Sequence, residues 1–297
     1  MPPIIHCVRH AQVRRRIAQD PCLGFHNLCQ ENHIIPDPLL TPHGESQCRD
    51  LNANFPYHSN VDLVVASPLR RTIYTALLSF EGDIRDKGLT IIALPEIQET
   101  SDVPCDVGSD LEALIKEVEE KKLPVDLTLV KEGWNSKKGK WAATSQAITN
   151  RAREARQWLK ARPEKEIVMV SHGGFLHYFT EDWQDSTLYT GTGWRNTEFR
   201  TYTFSDSIDS DDLYSRPVEG DNATIVETVE SRTRRGREGE PPSRDSQKEF
   251  FVQAMRGWED QLVGAAKKEA EKEKLDLVDG EKVVAQDGAV EATKVVA

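Results

Sequence analysis

Six side chains in four separate segments of this 297-residue chain have the types needed to hold and react with an anionic group. They are Arg9 and His10 in CVRHAQ, Arg70 and Arg71 in SPLRRT, Glu99 in EIQETSD, and His172 in VSHGGF. Each of these features alone is more often a surface or turn feature than a functional one. Their combination, in this order and at the ends of predicted strands, favours a single site.

A phosphate monoester is the ligand that this set of side chains fits. The planar guanidinium of arginine binds phosphate oxygens in pairs, so Arg9 and Arg71, together with His172, would hold the phosphoryl group from several sides. The neutral imidazole of His10 could then attack phosphorus in line and form a phosphohistidine. Glu99 would protonate the departing alkoxide and later deprotonate the attacking water, which requires a raised pKa. Positioning and charge stabilisation dominate phosphoryl transfer, so this cationic cradle requires no metal.

The first two hundred residues alternate between predicted strands and helices, which indicates an α/β fold. Short apolar runs at 4–8, 61–67 and 166–172 are typical of central strands covered on both faces, and 198–205 alternates like a later strand. In open α/β sheets, ligands collect at the carboxyl ends of the strands. The first three runs end where candidate site residues begin.

Three segments between these strands have the periodicity of amphipathic helices. Residues 41–55 begin with a threonine that a glutamate follows closely, residues 109–123 carry an aliphatic stripe, and residues 145–163 carry an apolar face and end at a proline. The second of these helices lies within 100–144, a long excursion between sheet elements. We expect this excursion to cap the site.

At these positions the chain resembles the histidine phosphatase superfamily, the phosphoglycerate-mutase-like proteins. The family signature Arg-His-Gly appears here as Arg9-His10-Ala11. SPLRRT is similar to the family's Ser-x-Leu-x-Arg-Ala element, which makes Arg71 rather than Arg70 the phosphate ligand.

The same resemblance assigns the proton donor and the second catalytic histidine. IQE is similar to the family's Leu-x-Glu element, so Glu99 is the implied proton donor and Glu96 the second choice, while VSHGGF places His172 as the second histidine. The resemblance covers roughly residues 3–205 and implies a phosphoglycerate-mutase-like fold, a three-layer αβα sandwich with a mostly parallel central sheet. The segments SDVPCDVG and NTEFRTYTF resemble the fungal branch of the family.

The loop after Arg9 and His10 departs from the family pattern. Ala11 stands where the family has glycine, which is tolerable as long as the backbone keeps a negative φ. The family's phosphate-binding asparagine corresponds to Asn27, which here follows an eleven-residue insertion, Val13–Leu23. Without the insertion the loop would read RHAQGFHN, the family's form. Three interpretations stay open: an artefact of the gene model or of splicing, a genuine insertion that bulges outward, or a change that disables the site.

The expected activity is that of a metal-independent phosphomonoesterase that acts on a small phosphorylated molecule through a phosphohistidine intermediate. The implied roles are His10 as nucleophile, Glu99 as acid and base, and Arg9, Arg71, His172 and Asn27 as phosphate ligands. A mutase is one alternative, although the mixed charges of EALIKEVEEKK in the cap do not suit a small, triply charged acid. The other alternative is an interaction module whose catalysis the insertion has impaired.

Composition divides the chain into four predicted parts. They are a histidine phosphatase domain at 1–205 with its cap at about 100–144, a flexible polar linker at 206–245, an amphipathic helix at 246–275, and a disordered tail at 276–297. The apolar stripe of the C-terminal helix is expected to pack on the core domain or on a partner.

Charge and cysteine content narrow the cellular setting. The net charge of −11 argues against general binding to nucleic acid or anionic membrane, and no apolar run is long enough to span a bilayer. Five cysteines without a CxxC pair favour reduced thiols, so we expect a cytoplasmic or nuclear location. We expect no metal or other cofactor and a small phosphate ester as the bound molecule. The sequence leaves the oligomeric state open.

Overall fold

In the part of the chain that the structure describes, one sheet contains seven β-strands, and five of them run parallel to one another. The computed structural model describes residues 2–13, 35–186, 192–205, 213 and 220–256. The strands are β1 (Ile4–Arg9), β2 (Leu63–Ala66), β3 (Ile91–Ala93), β4 (Val125–Asp126), β5 (Glu166–Ser171), β6 (Phe199–Phe204) and β7 (Ile225–Glu227). Their order is β4-β3-β2-β5-β1-β6-β7, with β6 antiparallel to both β1 and β7. The predicted α/β fold with a mostly parallel central sheet is confirmed.

The helices of the described ranges connect these strands. They are α1 (Pro42–Asn54), α2 (Arg70–Ser79), α3 (Glu81–Lys87), α4 (Leu111–Lys121), α5 (Ser145–Lys160), α6 (Gly173–Thr180) and α7 (Val229–Arg234). Helices α1 and α5 begin where the sequence predicts, because Thr41 accepts a hydrogen bond from Gly44 N and Thr144 accepts one from Ala147 N. Such caps satisfy amide groups that have no partner inside the helix.

The central strands are buried because their side chains are aliphatic on both faces. Every residue of β2 is buried, and so are five of the six residues of β5. Residues of the predicted cap are themselves part of the sheet and of this core. Within 100–144, β4 extends the sheet beside β3, and Trp134 is almost fully buried in the main apolar cluster.

Part of the stretch that composition predicts as a flexible linker, 206–245, forms secondary structure. It contains β7, which pairs with β6, and α7. Arg235 donates hydrogen bonds to Glu227 at 2.6 Å and to Asp185 at 2.8 Å. Ion pairs with little solvent exposure hold this segment in the fold. Because those pairs need charged residues, the composition of the segment resembles that of a solvated linker.

The chain divides into two compact units, Met1–Phe250 and Phe251–Ala297. Residues 244–250 are helical in the first unit, and residues 251–256 are helical in the second. The remainder of the predicted helix 246–275 and the predicted tail 276–297 lie outside the described residues. Within the described ranges, no helix has the length and apolar character to cross a membrane.

A short clasp closes the chain segment that carries the insertion. Val13 forms an isolated antiparallel bridge with Leu40, and Thr41 N donates to Gln12 O at 3.0 Å. The clasp, defined as these two contacts, joins the end of the His10 loop to the start of α1. Residues 14–34, which include most of the insertion, lie outside the described residues.

Candidate active site

The predicted site residues lie along one edge of the sheet, at the carboxyl ends of four adjacent parallel strands. His10 follows β1, whose last residue is Arg9, and His172 follows β5. Arg71 lies in the first turn of α2, after β2, and Glu99 follows β3. The sheet order β3-β2-β5-β1 therefore brings together side chains that are as much as 163 positions apart in the sequence.

His10 has the tautomer that a nucleophile needs. Its ring is buried, and Nδ1 lies 2.8 Å from the carbonyl oxygen of Ala11. A carbonyl only accepts hydrogen bonds, so Nδ1 carries the proton and Nε2 keeps its lone pair in the neutral ring. Burial lowers the pKa of His10 well below its usual value, and the charges of Arg71 and Arg9 lower it further. His10 is therefore neutral near pH 7.

His172 is fully buried beside His10, with 5.2 Å between the two ring centroids. Arg71 Nε donates to His172 Nδ1 at 3.2 Å, so the proton of the neutral ring is on Nε2, which lies 2.9 Å from Ser67 Oγ. Burial, and then the charge of Arg71, lower the pKa of His172 well below its usual value. This arrangement fixes both the ring of His172 and the guanidinium that contacts it.

Arg71 is a buried cation whose hydrogen bonds are only partly used by the described protein. Besides the bond to His172, Nη1 donates to Cys105 O at 2.6 Å and Nη2 donates to Asp106 Oδ1 at 2.9 Å. A guanidinium has five N–H donors, so two remain for an anion. Asp106 also offsets part of the positive charge.

Arg9 lies against the start of α6, where a glycine makes room for it. Its Nη1 donates to the carbonyl oxygen of Trp194. A Cβ atom on Gly173 would lie 3.2 Å from Arg9 Nε and 2.0 Å from Thr192 Oγ1. A larger residue at position 173 would therefore displace the arginine or its neighbours.

The carboxyl group of Glu99 lies against the first turn of α6. Its Oε1 accepts hydrogen bonds from Thr100 N at 2.9 Å and from Phe175 N at 3.1 Å, and a Cβ on Gly174 would lie 2.7 Å from it. Burial raises the pKa of Glu99, and the negative charge of Asp106 raises it further. A raised pKa is the direction that proton donation near pH 7 requires.

Glu96 and Arg70, the alternatives to Glu99 and Arg71, form ion pairs with other residues. Glu96 binds Lys140 at 2.7 Å, and Arg70 binds Glu117 at 3.0 Å. Ala11 is buried and is not among the residues with positive φ, so the position is compatible with a residue other than glycine. Asn27 lies outside the described residues, and its role as a phosphate ligand stays a prediction.

Three residues at the site were not singled out from the sequence. Ser67 contacts His172, Asp106 contacts Arg71, and Lys137 Nζ donates to Glu99 O at 3.0 Å. Burial lowers the pKa of Lys137 to about 8. Ser67 is the first residue of SPLRRT, but the sequence shows no partner for its hydroxyl group. Nothing distinguishes Lys137 from the other lysines of WNSKKGK.

The described groups bring a neutral imidazole, two arginine side chains and a carboxyl group with a raised pKa together at one edge of the sheet. Such a set can bind a phosphoryl group and transfer it. Among the described residues, no group of three or more His, Cys, Asp or Glu side chains is placed to hold a metal ion.

Comparisons with known proteins extend over most of the first unit. The family model for the histidine phosphatase superfamily (branch 1) matches residues 5–207. A probable phosphatase of Schizosaccharomyces pombe is 28% identical in an alignment of 179 positions that covers 59% of this chain and 76% of that protein. A phosphoglycerate mutase-like protein of Arabidopsis thaliana is 28% identical in an alignment of 211 positions, gaps included, that covers 58% of this chain and 72% of that protein.

A solved structure of a phosphoserine phosphatase mutant from Entamoeba histolytica in complex with phosphoserine is 18% identical. The alignment covers 76% of this chain and 95% of the phosphoserine phosphatase chain, with a TM-score of 0.40. The family match contains all four segments that carry the candidate site. The family and the curated relatives support phosphatase activity in general terms. The chain belongs to the histidine phosphatase superfamily, branch 1.

Proposed function

We propose that the protein is a metal-independent phosphomonoesterase that hydrolyses a small phosphate ester through a phosphohistidine intermediate on His10. The observation that carries the proposal is the state of His10. Its Nδ1 proton is bound to Ala11 O, its pKa is lowered, and it lies beside His172 and the partly engaged Arg71. A neutral imidazole with a lone pair on Nε2 is a nucleophile, whereas an imidazolium is not.

In the first step, the phosphoryl group of the ester binds between Arg9 and Arg71. His10 Nε2 attacks phosphorus, and the bond between phosphorus and the ester oxygen breaks. Glu99 gives its proton to that oxygen, so the product leaves as an alcohol. The two arginines balance the charge on the phosphoryl oxygens, which is the part of the catalysis that a metal ion supplies elsewhere.

In the second step, water releases the phosphate from His10. Glu99, now a carboxylate, takes a proton from the water as its oxygen attacks phosphorus. The bond between phosphorus and Nε2 breaks, and inorganic phosphate leaves. Neutral His10 and protonated Glu99 are thereby restored. His172 supports both steps by holding Nε of Arg71.

Turnover of p-nitrophenyl phosphate by the full chain, with and without a chelator, tests the proposal. We expect hydrolysis that the chelator does not reduce. Rapid quenching with ³²P-labelled substrate is expected to give a base-stable, acid-labile label that His10→Asn does not form. Hydrolysis without such a label would contradict the phosphohistidine route.

The insertion is tested by removing Val13–Leu23 and measuring both chains side by side. Activity in both means that the insertion spares the site, and activity in the shortened chain alone means that the insertion disables it. If both chains fold cooperatively and neither hydrolyses any phosphate ester in a broad panel, the proposed function is wrong.

A further inference from the structure

Asp106 is a carboxylate at the site that the proposed reaction does not use. It ends the 3-10 turn Pro104–Asp106, and its side chain is 15% exposed. Oδ1 accepts a hydrogen bond from Arg71 Nη2 at 2.9 Å, and Oδ2 accepts one from Ser101 Oγ at 2.5 Å. Both oxygens are thus fixed, one by a proposed phosphate ligand and the other by the segment that follows Glu99.

The contacts of Asp106 hold Arg71 on one side. Cys105 O binds Nη1 while Asp106 binds Nη2, and His172 binds Nε. An arginine held at three nitrogen atoms has little rotational freedom. Its two remaining N–H groups therefore point in a direction that the protein sets before the substrate arrives.

A second consequence concerns the proton on Glu99. The charged groups that act on this carboxyl group come from several elements: Asp106 from the turn after it, Arg71 from α2, Arg9 from β1, Lys137 from the predicted cap and Arg151 from α5. Phosphate binding requires the arginines, yet their positive charges favour loss of the proton from Glu99. The negative charge of Asp106 acts in the opposite direction.

We propose that Asp106 is a positioning residue that keeps Arg71 directed at the phosphoryl group and keeps the proton on Glu99 until the leaving group departs. The inference rests on the proposed function. It explains how one site holds two arginines beside a carboxyl group whose pKa is raised rather than lowered. Asp106 itself touches neither the leaving group nor phosphorus.

The test compares a substrate whose leaving group needs a proton with one whose leaving group does not. Ethyl phosphate releases an alkoxide that must be protonated, whereas p-nitrophenolate leaves without help. We expect Asp106→Asn, which keeps the shape and a hydrogen-bond acceptor for Arg71, to lower kcat for ethyl phosphate at pH 8, because a lower pKa of Glu99 leaves a smaller fraction of the carboxyl group protonated. The alkaline limit of the kcat profile is expected to move to lower pH, and kcat for p-nitrophenyl phosphate is expected to fall less than kcat for ethyl phosphate.

Asp102→Asn is the matched control. Asp102 is exposed in the same segment, so the same change of charge there is expected to leave both profiles unchanged. An equal fall for both substrates in Asp106→Asn, with an unmoved alkaline limit, would mean that Asp106 is merely structural and would overturn the inference.

A measurement that needs no turnover keeps the inference separate from the proposed function. In chains with ¹³C-labelled glutamate, the carboxyl signal that disappears in Glu99→Gln identifies Glu99, and its titration can be followed by NMR. We expect it to titrate at lower pH in Asp106→Asn than in the unchanged chain. An unchanged titration would refute the inference even if the protein proves to be an active phosphatase, and a shifted one would support it even if the full chain is inactive.

Discussion

His10 and His172 are neutral for the same reasons, because both are buried and both lie beside arginines. As a result, the proposed site takes its nucleophile, its positive charge and its proton from different residues. A protonated His10 would attract a phosphate group but would have no lone pair on Nε2 for the attack. In the proposed reaction the positive charge therefore comes from the guanidinium groups of Arg9 and Arg71. In the same proposal the proton comes from Glu99, whose pKa is shifted in the opposite direction.

Glu99→Gln is expected to separate the two steps of the proposed reaction. With p-nitrophenyl phosphate the first step needs no acid, so about one p-nitrophenol per protein is released in a burst. The second step lacks its base, and steady turnover is expected to fall about 10²- to 10⁴-fold. Stopped-flow absorbance at the start of the reaction measures both phases. A uniform slow rate without a burst would contradict the role of Glu99 as the base.

Lys137 makes a pH-dependent contribution to the free energy of unfolding. Its pKa is lowered to about 8, whereas an unfolded lysine titrates near 10.4. Between these values the unfolded chain binds more protons, so the stability is expected to rise from pH 8 to pH 10. Lys137→Met is expected to remove this rise and exposed Lys138→Met to keep it, as measured by urea unfolding at several pH values. A rise of the same size in both variants would mean that Lys137 does not cause it.

At the scale of elements, the first turn of α6 lies against the side chains of both Arg9 and Glu99. Gly173 lies against Arg9, and Gly174 lies against Glu99. Two successive glycines allow both side chains to approach the same helix turn. Because Phe175 N of this helix also donates a hydrogen bond to Glu99, α6 positions the carboxyl group of Glu99 as well as following His172.

Gly174→Ala is expected to lower kcat about 10²-fold, because its Cβ would displace Glu99 and small displacements at a reacting centre have effects of this size. Gly82→Ala in α3 is the control. A Cβ there meets no atom within 4 Å, so kcat should not change and the free energy of unfolding should rise by up to about 1 kcal/mol. Steady-state kinetics and urea unfolding of both variants provide the comparison. Equal activities would show that the close contact with Glu99 has no catalytic effect.

The sequence predicts long or fully apolar elements and misses short ones. Strands β1, β2 and β5 are aliphatic and central, so their pattern is strong, whereas β3, β4 and β7 have only two or three residues each. Helix α6 begins with Gly173 and Gly174, whose types indicate a turn more than a helix. Its helical state follows from tertiary contacts that a local pattern does not contain.

At the scale of the whole molecule, residues 220–250 complete the first unit. Glu227 of β7 and Asp185 bind the same arginine, Arg235. Gln247 accepts a hydrogen bond from Trp183 N at 2.7 Å and donates one to Asp182 at 3.2 Å. The segment therefore covers the outer edge of β6 and pairs carboxylates that are nearly buried.

Truncation tests this role. A chain that ends at residue 205, the predicted domain boundary, leaves β6 as an exposed edge and leaves Asp182 and Asp185 without Arg235. We expect it to be insoluble or to unfold without a cooperative transition. A chain that ends at residue 250 keeps the first unit and is expected to unfold cooperatively on heating. If the 205-residue chain is soluble and unfolds cooperatively, the domain ends at residue 205 as the sequence predicts.

The residues that the sequence predicts for the site are those whose type matches a reaction step, and the missed ones act through other residues. His10, Arg71, Glu99 and His172 follow strands and are brought together as a parallel sheet requires. Asp106 affects its neighbours by charge and hydrogen bonding, which no spacing rule reveals. The segment that contains Asn27 is beyond the described residues, so its placement stays a prediction.

The clasp at Val13 and Leu40 bears on how this family member tolerates changes in length. Two residues that are held side by side fix the two ends of the segment that connects them. The entropy of closing a loop grows only with the logarithm of its length, so the eleven-residue insertion adds about 0.5 kcal/mol to that cost. On this basis the added length costs the fold little free energy, and a change in activity on removal of Val13–Leu23 would reflect the site, including Asn27, rather than the stability of the chain.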